Sequence, residues 1–102
     1  MKIIECLSEL IEDEIDDADK YIDLASKWKA EEPETADLFY ELSKEEMGHM
    51  EKLHAEVAEL IEEYRKEHGD LPKEMMFVYN YLHQRHIKDA TKVKSKQSLY
   101  KE

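Results

Sequence analysis

Two interruptions, Glu31-Glu32-Pro33 and Gly69-Asp70-Leu71-Pro72, cut this chain into three lengths, and little else in it can break a helix. The 102 residues hold only two Gly and two Pro. That leaves little material for hairpins, while Glu, Lys, Leu and Ala, all good helix formers, fill the long stretches between the breaks. A residue before proline is biased away from the α region, so a first helix ends near Ala30. The missing N–H of Pro33 costs nothing in the first turn of a second helix, where Glu34 and Asp37 suit the positive end of the helix dipole. Gly69 fits the position just past that helix. The expectation is a single all-α domain over residues 1–102, with helices at about 2–30, 34–67 and 72–96. The first break is short, so the first two helices should form an antiparallel hairpin.

Apolar residues in the first helix recur in steps of three and four: Ile3, Leu7, Leu10, Ile11, Ala18, Tyr21, Ala25 and Trp28. The second helix carries Phe39, Leu42, Met50, Leu53, Val57, Leu60, Ile61 and Tyr64. The third has a broad apolar patch between Met75 and Leu82, then turns Lys-rich beyond His86, so its end is expected to fray or to lie on a partner. A hairpin with so wide a stripe has to bury it. Either the third helix covers it within one chain, or two copies pair into a four-helix bundle. The polar residues below favour the homodimer.

The formal net charge is -11. Nucleic-acid binding depends on Lys and Arg neutralising phosphates, so a nucleic-acid partner is not expected, whereas a negative field attracts cations. The charge is also uneven. Residues 1–63 carry 21 acidic and 6 basic side chains, and residues 64–102 carry 5 and 9, so the basic tail can pack on the acidic body of its own chain or of a neighbour. Cys6 is the only cysteine, which rules out an intramolecular disulfide. It lies in an apolar turn and reads as a packed small residue. The N-terminal segment has no apolar signal region, and no apolar run approaches the ~20 residues of a membrane span. A cytoplasmic location with no membrane partner is expected.

The stretch EEMGHMEKLH holds two overlapping Glu-x-x-His pairs, Glu46–His49 and Glu51–His54. At about 100° per residue, with Glu46 at zero, Leu42, Leu53, Val57 and Met50 fall within about 40° of it and His49 at about -60°. His54 and Glu51 fall at about 80° and 140° and point mostly away. Glu14 has the same relation to its own stripe, with Leu7, Tyr21 and Ala25 within about 20°; Asp17 lies near the edge at about -60°. Counting back from the turn, Glu14 stands level with Glu46 and His49. Two carboxylates and an imidazole in an apolar seam are costly unless paired, and Lys44 and Lys52 point away from Glu46. A bound cation is the simplest partner, and this donor set suits iron, manganese or zinc. One hairpin is a thin set for two metals, whereas two hairpins supply four Glu and two His, the donor pattern of a di-iron bundle. His83 and His86 read as helix-packing or surface residues, and His68 complements the end of the second helix.

At these residues the sequence resembles the ferritin-like superfamily. The segment EIDDADKYIDLA is similar to the first-helix pattern of ferritin-like and rubrerythrin-like proteins, Glu14 matching the ligand and Tyr21 the tyrosine two turns on. EEMGH matches their Glu-x-x-His, with Glu46 and His49 as ligands. The short, encapsulated type of ferritin is the nearest likeness. The resemblance implies a di-iron ferroxidase with Glu14, Glu46 and His49 as its metal-binding and catalytic residues, Tyr21 near them, and a site completed by homodimerisation; Asp17 is a candidate neighbour of these ligands by its helix position alone. It also implies ring-like assembly within an encapsulin shell. KSKQSLYKE, however, is unlike the apolar peptide that targets such cargo. Two other expectations share these residues: a peroxide-reducing protein of the rubrerythrin kind, which would need an outside electron donor because one cysteine cannot build a rubredoxin-like site, and a non-catalytic helical assembly protein.

Overall fold

A computed structural model describes residues 2–102. They form α1 (Lys2–Trp28), α2 (Pro33–His68) and α3 (Lys73–Lys101), with no strand among the described residues. The hairpin turn closes with the Glu32 N–H on the Trp28 carbonyl at 2.8 Å, and the Ala36 N–H on the Glu32 carbonyl at 2.9 Å starts α2 behind Pro33. α2 stops at Gly69, whose φ of 79° lies in the left-handed region and whose N–H reaches the Arg65 carbonyl at 2.9 Å. A side chain at Gly69 would be strained there, which explains why glycine serves this break.

α3 folds back along the hairpin and covers one of its faces, as in the one-chain arrangement. Leu7, Ile11, Ile15 and Ala18 of α1, Met47, Met50, Val57 and Ile61 of α2, and Ala90 and Val93 of α3 form one apolar cluster. Nearer the hairpin turn, Ile22, Ala25, Ala36, Tyr40 and Tyr100 form a second. Between them along the helices lies a small polar layer. The Ser43 hydroxyl donates to the Ala18 carbonyl at 2.7 Å and accepts from Gln97 Nε2 at 2.9 Å, and both side chains are buried. Small residues at Ala18, Ala25, Ala36 and Ser43 let the helices approach closely at these levels.

At four points the packing corrects the sequence expectation or, for the basic tail, selects one of its two alternatives. First, α3 does not fray. Its buried residues are His86, Ala90, Val93, Gln97 and Tyr100, spaced four, three, four and three apart, and a seam built of His, Ala, Val, Gln and Tyr escapes a count of large apolar residues. Second, the apolar start of α3 is its open part: Phe77 is 75 % exposed, and Val78 and Tyr81 are exposed as well. Third, the basic tail lies on its own chain. Lys96 Nζ donates to Asp19 Oδ1 at 2.8 Å and Asp23 Oδ1 at 2.9 Å, and Arg85 stands 3.2 Å from Glu12. Fourth, Cys6 is exposed, not packed. Leu7 and Ser8 take the buried positions of that turn. Among the described residues no helix is long and apolar enough to cross a membrane.

Candidate metal centre

Glu14 is fourteen residues from the end of α1, and Glu46 is thirteen residues into α2. At 1.5 Å per residue both stand about 20 Å from the turn. The antiparallel pairing therefore brings them level, and His49 follows Glu46 by one helical turn on the same face. Ligand atoms of the three residues all lie within 4.8 Å of one another. Among the described residues no other group of three or more His, Cys, Asp or Glu side chains gathers so tightly. His49 Nδ1 is 3.3 Å from Glu14 Oε2 and 3.7 Å from Glu46 Oε2.

The cluster lies on the edge of the buried seam, not at its centre. The α2 positions that face α3 and α1 most fully are Ala36, Tyr40, Ser43, Met47, Met50, Val57 and Ile61, whose centre is turned about 60° from Glu46. The sequence stripe merges two faces. One meets α3. The other, carrying Tyr21, Trp28, Phe39, Leu42, Leu53, Leu60 and Tyr64, is only partly buried, and Leu10 beside it is exposed. Glu14, Glu46 and His49 belong to this second face. Their side chains are 24 %, 20 % and 56 % exposed.

The electrostatics are those of two carboxylates competing for one proton. A hydrogen bond with Glu14 raises the Glu46 pKa above the ordinary value, and desolvation and the Glu14 charge push the same way; His49 opposes them. A cation placed between the two carboxylates would offset this repulsion. Two carboxylates and one imidazole nitrogen at these separations form a donor set that a first-row metal accepts, so the residues present fit the metal that the motif implies.

Of the other residues singled out from sequence, Asp17 is exposed and lies outside the cluster. Tyr21 stacks on Phe39 with ring centroids 6.4 Å apart, as a packing tyrosine does. His68 rests against Tyr64 at 4.9 Å and stands 3.6 Å from Glu67. The outward placement of His54 does not hold: it is half-buried and meets His83 of α3, with Nε2 to Nδ1 at 3.0 Å. Glu51, its partner in the second Glu-x-x-His, is exposed and pairs with Lys94 at 3.6 Å. His86 is buried rather than on the surface.

Comparison with protein-family models, with curated proteins and with solved structures finds no match to this chain. The ferritin-like resemblance thus rests on the sequence motifs alone.

Proposed function

We propose that the chain is a ferroxidase that binds Fe(II) at Glu14, Glu46 and His49 and completes a di-iron site by pairing with a second copy across the Tyr21–Leu53 face. The observation that carries this reading is the convergence of those three side chains, from two helices, within 4.8 Å. The half-buried apolar residues around them support the pairing, because a second copy would cover them while bringing a second set of two Glu and one His. Iron is the substrate here. It gives up an electron to dioxygen or peroxide and leaves as Fe(III). The chain's own part is to hold the carboxylates level and to exclude water once the face is covered. The surrounding acidic surface draws Fe(II) inward.

Anaerobic Fe(II) titration with mass measurement tests this. The expected result is about two Fe(II) per dimer, a particle of at least twice the 12.2 kDa chain, and iron-dependent oxygen consumption that disappears in Glu46→Ala. A folded protein that takes up no divalent metal at micromolar concentration would instead be a helical assembly protein without this activity.

A further inference from the structure

The second Glu-x-x-His of α2 and the His83-x-x-His86 pair of α3 play no part in the Glu14 cluster, yet the fold brings them together. His54, His83 and His86 line one cavity of about 430 Å³ between α2 and α3, with Glu51 and Lys94 at its wall. Three of the five histidines of the chain thus meet in one place. The His54 and His83 nitrogens are 3.0 Å apart while their ring centroids are 4.8 Å apart, with planes inclined by only 19°. The rings are thus stacked in nearly parallel planes with these two nitrogens at their closest approach. Tyr79 stacks on His83 at 5.7 Å and fixes its plane. His86 is 6 % exposed, and its Nε2 is buried with no hydrogen-bond partner. Buried polar atoms are as a rule hydrogen-bonded, so this nitrogen calls for a partner.

We propose that this cavity is a second metal site, in which His54 Nε2 and His83 Nδ1 chelate one borderline divalent transition metal such as Zn(II), Ni(II) or Cu(II), and the unpartnered imidazole of His86 supplies a further donor by turning into the cavity. Two nitrogens bound to one ion at about 2.0–2.1 Å stand about 2.9–3.4 Å apart for angles between square and tetrahedral. The observed 3.0 Å falls in that range. Imidazole donors with one peripheral carboxylate select these metals over Mg(II) and Ca(II). In the metal-free chain one ring nitrogen donates its proton to the other ring; on metal binding that proton moves to the donor ring's second nitrogen, so both rings stay neutral and both facing nitrogens offer a lone pair. The site joins α2 to α3 and is separate from the Glu14 cluster, so each can fail without the other.

The test uses the full chain carrying Glu46→Gln and His49→Asn, which silences the first cluster, with Zn(II) as the probe. One Zn(II) per chain should still bind at micromolar concentration, and adding His54→Asn or His83→Asn should weaken it at least about tenfold. The proposal is overturned if the Glu46→Gln/His49→Asn chain, with wild-type helical circular dichroism, binds no Zn(II), or if neither histidine substitution moves the affinity. Should a histidine variant lose its helicity, ring ¹⁵N spectra of the wild-type chain decide. Zn(II) should shift the His54 and His83 ring nitrogens, and unmoved resonances overturn the site.

Discussion

Ser43 shows how much of this fold depends on single small polar side chains. Its hydroxyl ties the Ala18 carbonyl of α1 to the Gln97 amide of α3 in a buried layer. Ser43→Ala removes little volume but leaves Gln97 Nε2 buried without an acceptor. The expected loss is about 1–3 kcal/mol, read as a lower urea midpoint at unchanged slope. Gln97→Leu, combined with Ser43→Ala, should recover part of that loss, since replacing both partners with apolar groups removes the orphan. Ala18→Leu should cost about as much for a different reason, because the position is fully buried and overpacking forces the helices apart. Glu14, Glu46 and His49 could be picked out from spacing because helical periodicity and a short turn fix both their face and their height. Ser43 and Gln97 could not. A buried hydroxyl looks like a surface one until its partner on another helix is known, and the partner of Ser43, Gln97, lies 54 residues away on α3.

α3 makes the same point over its whole length. Its apolar first half suggests the packed end and its Lys-rich second half the loose one, and the structure reverses both. The second half is held by polar anchors. Lys96 is clamped between Asp19 and Asp23, the Lys29 ammonium donates to the Tyr100 carbonyl, and the Tyr100 hydroxyl donates to Asp37 Oδ1 at 2.5 Å, with the ring stacked on Tyr40 at 5.0 Å. The α1–α2 hairpin, by contrast, follows from the sequence almost to the residue, because Pro33 and Gly69 set its bounds locally. Tyr100→Phe keeps the ring stack and loses the bond to Asp37, so it should cost about 1–2 kcal/mol. Burial, and then the Asp37 carboxylate, push the Tyr100 pKa up to about 12 from 10.0, and the Asp19 and Asp23 hydrogen bonds raise that of Lys96 above 10.5. Both groups keep a proton in the folded chain that the unfolded chain has already lost. Their contribution is therefore complete below pH 10 and is lost as pH rises through about 12. Unfolding midpoints measured across that window should fall steeply for the wild-type chain and less steeply for Tyr100→Phe. Equal slopes for the two proteins would show that Tyr100 is not the group being titrated.

The molecule as a whole is a thin rod of 56 × 19 × 17 Å in which one side of the hairpin is sealed by α3 and the other is not. The sealed side explains why a single chain folds. The open side carries Leu10, Tyr21, Trp28, Leu42, Leu53 and Leu60 around the only tight carboxylate and histidine cluster among the described residues. If a second copy covers that side, substitutions at its half-buried positions should break association at less cost to the fold than core substitutions, because side chains such as Leu53 and Trp28 pack against the two apolar clusters from outside without forming them. Leu53→Asp is the sharpest choice: Leu53 is partly buried and sits on the Glu46 side of α2. The expected product is a helical particle of 12.2 kDa with weakened Fe(II) uptake. Phe77→Asp, on the exposed start of α3, should leave both mass and uptake unchanged. Metal and association are then linked: a metal that binds only the paired state stabilises it by about 2.7 kcal/mol at a hundredfold excess over its Kd, and dissociation of the pair should need correspondingly more dilution. Val57→Asp separates this from general damage. Val57 is fully enclosed among α1 and α3 residues, so a charge there should unfold the chain with or without metal. If Leu53→Asp keeps the wild-type mass and iron uptake, the paired site cannot lie on this face.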